Sequence, residues 1–135
     1  MIFLLDMNAV SDLVRMQPKI HQRVQGTATP HQIITCTIVR GEILYGISRL
    51  PNGRRRDDLE LKVSHILGGI TCVPVPEQAA EHYARVKIDR LSKGWNLDEN
   101  DLWIIATALA MSATLISRDS DMCGIAGLLT EDWTT

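Results

Sequence analysis

Three observations predict an α/β protein, a three-layer α/β/α sandwich around a four- or five-stranded parallel sheet. Two short apolar runs, Ile2-Phe3-Leu4-Leu5 and Thr114-Leu115-Ile116-Ser117, lack the alternation of a half-exposed strand and read as parallel strands covered on both faces. Strand-like segments alternate with helical ones along the whole chain, which implies crossover connections of one hand. The 135 residues are 45% hydrophobic and 22% charged, enough for one core and too few for two, so residues 1–135 are expected to form a single domain.

The first run ends abruptly in Asp6. Ligands bind at the carboxyl ends of such strands, although an acid there also suits a plain turn. Asn8 is placed to cap a helix reaching about Met16, with Val10, Leu13 and Val14 inward and Pro18 closing it. Ile20 and Val24 mark a second short helix, and Thr29-Pro30 precedes a β-branched strand, Gln32-Ile33-Ile34-Thr35-Cys36.

Thr37 caps the next helix, Ile38 to about Leu50, stopped by Pro51-Asn52-Gly53. Glu42 borders its apolar face, and a carboxylate there needs a partner, either Arg49 or a metal ion. Arg54-Arg55-Arg56-Asp57-Asp58 opens a helix to about Leu67, ended by Gly68-Gly69; its arginines suit either a solvated helix end or a nucleic-acid contact. Ile70 to Val75 is a short strand whose prolines mark a sheet edge. Glu77 to Lys93 is a helix with Ala80, Tyr83, Ala84, Ile88 and Leu91 expected inward, terminated at Gly94.

The stretch from Asp98 to Ala113 gathers three acids ahead of a nearly uncharged helix that is apolar on most of its circumference. Asp98 serves as the N-cap, which leaves Asp101, in the first turn, available for a second task. The strand at 114–117 then delivers Asp119 and Asp121 at its carboxyl end, and Leu128-Leu129-Thr130 makes a last short strand. Asp6, Glu42, Asp101 and Asp119 can therefore converge at one rim, where four acids repel each other unless divalent cations hold them.

Other chemistries find little support. A net charge of −2 argues against coating nucleic acid by bulk electrostatics. Cys36, Cys72 and Cys123 are odd in number and lack C-x-x-C spacing, so neither a disulfide framework nor a zinc site is indicated. His21, His31, His65 and His82 show no ligand spacing, and Ser11 has no recognisable base for covalent catalysis. With no signal-peptide pattern and no membrane-length apolar run, a soluble cytoplasmic protein without membrane contact is expected.

Over essentially its whole length the chain resembles the PIN-domain ribonucleases, specifically VapC-type toxins of bacterial toxin–antitoxin pairs. Leu5-Asp6-Met7-Asn8 is similar to the family's opening L-D-T-N, and Glu42 with Tyr45-Gly46 to its E-x-x-x-G helix. Asn100-Asp101-Leu102-Trp103-Ile104-Ile105-Ala106 resembles N-D-x-x-I-A, and Ser117-Arg118-Asp119 resembles T-x-D/N. Gly127 to Trp133 is similar to the C-terminal strand and tail.

The resemblance implies a Mg²⁺- or Mn²⁺-dependent endoribonuclease in which Asp6, Glu42, Asp101 and Asp119 bind the metal. Asn8 and Ser11 support them, as do Asp98 and Asp121, while Arg54, Arg55 and Arg56 are candidate RNA contacts. It implies as partners a cognate antitoxin, RNA and a second copy in a homodimer or larger toxin–antitoxin assembly, with operator DNA reached only through the antitoxin. Two positions depart from the pattern. Met7 replaces the usual Thr or Ser, which removes a hydroxyl, and Asp98 replaces a common Gly, adding a carboxylate that is either a cap or part of a second metal shell. A receiver-like signalling domain would want a lysine after its last strand, and Leu128-Leu129-Thr130-Glu131-Asp132 supplies none. An inactive PIN-domain binding module would have little reason to keep all four acids.

Overall fold

Hydrogen bonding places β1 (Ile2–Leu5) at the centre of a five-stranded sheet, between β2 (Gln32–Cys36) and β4 (Thr114–Ile116). The structure, a computed structural model, describes residues 1–27 and 31–135, so the Thr29-Pro30 break lies outside the described residues. With β3 (Thr71–Val73) and β5 (Thr130–Glu131) at the edges the order is β3-β2-β1-β4-β5, and every ladder is parallel. Phe3, Leu4 and Leu5 of β1 and Thr114, Leu115 and Ile116 of β4 are all buried, although neighbours along a strand point to opposite faces. Both faces are therefore covered.

Six helices do the covering: α1 (Met7–Val14), α2 (Pro18–Gly26), α3 (Thr37–Ser48), α4 (Arg54–Gly68), α5 (Ala79–Ser92) and α6 (Glu99–Ala110). From β1 to β3 the chain steps one way across the sheet, and from β3 it crosses back past β1 and steps the other way. Right-handed crossovers then put α1 to α4 on one face and α5 with α6 on the other. The reversal leaves a crevice at the carboxyl ends of β1 and β4, where open parallel sheets bind ligands.

Several local expectations change. The cap of α1 is Asp6, whose Oδ1 accepts from Ala9 N at 2.8 Å, so Asn8 lies inside the helix. Pro18 opens α2 at N1, where its missing N–H costs nothing, and Gln17 caps that helix by accepting from Ile20 N. Thr37 is the first residue of α3, and its hydroxyl donates to Val73 O at 3.3 Å, tying the helix to β3. Gly127, at φ +83°, turns the chain just before Leu128 and Leu129, so β5 pairs only at Thr130–Glu131 and Leu129 stays exposed.

The largest correction concerns α5. Its buried residues are Ala79, Val86 and Arg90, whereas Ala80, Ala84, Ile88 and Leu91 face outward and Tyr83 is half-buried. Tyr83 stacks on Trp103 of α6 with ring centroids 4.0 Å apart, and Lys87 reaches Glu99 at 2.6 Å. That pairing turns α5 by about one residue, or 100°, from the expected stripe. At the C-terminus Trp133 is buried against Phe3 and donates to Glu131. Among the described residues no helix is long and apolar enough to cross a membrane.

Candidate active site

Each of the four acids reaches the crevice from a different element. Asp6 follows β1 and is 2% exposed. Burial raises its pKa, helped by the charge of Asp119, and outweighs the nearby Ser117 hydroxyl, the α1 cap bond and Arg118, which lower it. Asp119 follows β4, and its Oδ1 accepts from Asp121 N at 3.0 Å at the start of a 3₁₀ turn, Ser120–Met122. Ser117 Oγ accepts from Asp119 N at 3.0 Å, which fixes that hydroxyl beside the two strand-end acids.

Glu42 comes from α3, with the Asn100 side chain near enough to favour its charged form. Burial, then the charges of Asp98 and Asp6, raise its pKa, and its Oε1 is buried with no partner. The Arg49 alternative fails: that guanidinium lies over the Tyr45 ring at 5.3 Å, and no ion pair joins it to Glu42 among the described residues. Asp101, in the first turn of α6, is pushed up to about 7 by burial and by Asp98, Glu42, Asp119 and Asp6 in that order. A carboxyl raised by burial and then by four like charges marks a site short of positive charge.

The supporting set divides. Asp98 occupies the N-cap position of α6 but makes no side-chain capping bond, which corrects its reading as a cap. Its charge is instead the strongest of those acting on Asp101 and Glu42. Asp121 is exposed and does not figure among the charges that raise Asp6, Glu42 or Asp101. Ser11 donates weakly to Met7 Sδ at 3.7 Å, and both line a groove of about 860 Å³ between α1, α3 and α4. Glu42 and Asn100 lie in that groove, and Ile38, Ile47, Leu59 and Val63 are among its apolar wall residues. Asn8 is half-buried on α1.

Arg54, Arg55 and Arg56 part company. Arg56 is committed to Glu60 at 3.0 Å, Asn52 and the Leu50 carbonyl, while Arg54 and Arg55 join Arg15 and Lys62 around a basic recess of about 430 Å³. Sequence reasoning passed over Asn100 and Ser117 as site residues, and over Arg118, which binds Asp12 at 3.0 Å while its charge lowers Asp6. All three adjoin or interleave with the acids in the recognised segments, and that adjacency was the available signal.

The donor set suits a hard divalent cation: oxygen ligands only, mutual repulsion and an orphaned buried carboxylate oxygen. The acids influence one another without being drawn to ligation distance. Among the described residues, no three His, Cys, Asp or Glu side chains are placed to hold an ion as they stand.

Comparison with known proteins bears on the family and the fold. The family model described as PIN domain matches residues 3–128. The chain is 28% identical to Ribonuclease VapC1 of Haemophilus influenzae over 99% of each protein. It is 24% identical to Ribonuclease VapC2 of Rickettsia felis over 98% of each. Among solved structures it superposes on VapBC2 of Rickettsia felis bound to a promoter DNA fragment with a TM-score of 0.89, at 23% identity over 98% of this chain and 99% of that one. For VapBC-1 of nontypeable Haemophilus influenzae the TM-score is 0.87, at 26% identity over the full length of both chains.

Proposed function

The chain belongs to the PIN domain family, and from that premise we propose that it is the toxin of a toxin–antitoxin pair, a divalent-metal-dependent endoribonuclease. The observation that carries the reading is the convergence of Asp6, Glu42, Asp101 and Asp119 from four elements onto one crevice, each of the three whose pKa moves being raised. The relatives named ribonuclease support the activity, and the VapBC complexes support the pairing.

In this reading the four carboxylates hold Mg²⁺ or Mn²⁺. When bound, the ion supplies Lewis-acid polarisation of the phosphodiester and balances the charge that develops in hydrolysis. Asn100 lies beside Glu42 and favours its charged form, and Ser117, bonded to Asp119 N, does the same for Asp6. Without a cation, burial and the neighbouring acids raise Asp101 to about 7, and a bound divalent ion would offset that repulsion and favour its charged form. Met7 lines the groove where a hydroxyl would otherwise stand, which leaves the acid set intact.

The partners follow from the surfaces. The apolar groove beside Glu42 suits a segment of the antitoxin, which would bring operator DNA with it. The outward stripe Ala80, Ala84, Ile88 and Leu91 suits a second copy of the chain, and a cytoplasmic setting goes with both. Purified protein incubated with single-stranded RNA should cleave it in Mg²⁺ or Mn²⁺ and not in EDTA. Undiminished cleavage in EDTA removes the metal from the mechanism; no cleavage with either ion removes the nuclease.

A further inference from the structure

On the far side of the loop that enters α6, the chain buries one positive charge without an anion. Arg90 is 1% exposed, and an arginine is charged at any pH a protein experiences. One guanidinium nitrogen donates to the Cys123 carbonyl at 2.9 Å, and the Trp95 ring lies 4.6 Å from the group's centre. Its Nε is buried with no partner, and no carboxylate forms an ion pair with it among the described residues. Burying a guanidinium in this way is costly unless an anion arrives to share it.

The space for one is present. Arg90 lines a recess of about 290 Å³ with Trp95, Asn96, Ser120, Asp121 and Cys123. Two of its walls come from segments that also carry the acids. Asn96 and Leu97 run directly into Asp98, and Ser120 and Asp121 follow directly from Asp119. Arg90 offers a planar donor fork, Ser120 and Asn96 are neutral polar neighbours, and Trp95 keeps 56% of its surface exposed at the mouth. A planar fork in a recess next to a phosphodiester-cleaving site matches a phosphate oxyanion, and an exposed indole at the mouth suits a stacked base.

We propose that this recess is a phosphate subsite, in which Arg90 takes a backbone phosphate of the RNA strand adjoining the one at the acids and Trp95 stacks on the neighbouring base. The proposal rests on the ribonuclease reading for its ligand, but the recess is testable without it. Asp121 is the one acid in the recess, and it weakens rather than serves anion binding there.

Two probes separate the sources of phosphate: inorganic phosphate, read as a rise in melting temperature, and a single-stranded RNA oligonucleotide, read in EDTA by anisotropy over a range of salt. Wild-type protein is expected to respond to both. Arg90→Gln should lose the phosphate response, weaken RNA binding on the order of tenfold and lower the salt slope by about 0.7 unit, the share of one phosphate contact on a single strand. Asp121→Asn should strengthen both responses. Arg90→Met should melt no lower than wild type in phosphate-free buffer, because it removes a buried unpaired charge. Should the Arg90 variants fail to fold, Ser120→Ala and Asn96→Ala carry the same test from the rim, each with a smaller loss.

A phosphate response abolished by Arg90→Gln, with RNA affinity and slope unchanged, makes this a free-anion site and overturns the assignment to RNA. If neither probe distinguishes the variants from wild type, the subsite is overturned. The same follows if Asp121→Asn destabilises the protein as much as Arg90→Gln, since Asp121 is then the internal counterion. Failure of the wild type to cleave RNA in either metal, with the phosphate response intact, removes the nuclease and not the recess.

Discussion

Two helices begin at the same crevice, and the acids at their starts are treated in opposite ways. At α1, Asp6 is built into the backbone: it caps the helix and is nearly inaccessible. At α6, Asp98 holds the cap position without a capping bond, and Asp101 is pushed to about 7 by burial and then by four other acids. Asp6 belongs to the fold as much as to the chemistry, whereas Asp101 is held in an unfavourable place by the rest of the fold. A carboxylate whose environment opposes its charge and whose removal breaks no capping bond is one that a ligand must justify.

The largest expected effect comes from removing each acid. Asp101→Ala and Asp6→Ala should both lower metal-dependent cleavage by at least about a hundredfold. Their stabilities should move in opposite directions. Without metal, Asp101→Ala relieves repulsion and should melt higher than wild type. Asp6→Ala strands the Ala9 N–H, at about 1–3 kcal/mol for a buried donor, and should melt lower. Thermal melts in EDTA check this; if both variants melt lower, the contrast between the two helix starts is lost.

A second effect is the pH dependence of that difference. Asp101 has an ordinary value of 3.8 in the unfolded chain and about 7 in the fold, so between those values the folded state holds a proton that the unfolded state has released. Its contribution is therefore neutral below about 3.8 and increasingly destabilising up to about 7, and level above. The melting temperature of Asp101→Asn minus that of wild type should grow across that window in EDTA and shrink when Mg²⁺ is added, because the ion binds only the folded acids. A difference independent of pH would mean that Asp101 is not crowded.

Much of this was readable before any coordinates, for identifiable reasons. An apolar run buried on both faces has one plausible place, the middle of a parallel sheet, so β1 and β4 were legible, and with them the acids at their carboxyl ends. What periodicity does not fix is rotation when a helix carries two apolar stripes. On α5 the expected stripe, Ala80, Tyr83, Ala84, Ile88 and Leu91, is longer and more apolar than the second, Ala79, Val86 and Arg90. The fold nonetheless buries the second, because the Tyr83–Trp103 stack and the Lys87–Glu99 pair clamp α5 to α6 on that side. Asn100 and Ser117 went unassigned because their value lies in which oxygen each approaches, and spacing along the chain does not carry that.

The smallest effect expected is also the sharpest test of the contrast. A side chain that caps a helix contributes about 1 kcal/mol, so a capping Asp98 would cost that much on change to alanine. Asp98 makes no such bond, so Asp98→Ala should leave the melting temperature in EDTA unchanged or slightly raised. What Asp98 does supply is negative charge, the largest of the charges that raise Asp101 and Glu42. Without it Asp101 should ionise at lower pH, and the acidic limb of the cleavage rate against pH should move down while the plateau in saturating Mg²⁺ stays within about twofold. A variant that melts lower by the equivalent of about 1 kcal/mol, roughly 4 °C for a domain of this size, with an unmoved pH profile would make Asp98 a cap after all. The two helix starts would then differ only in Asp101.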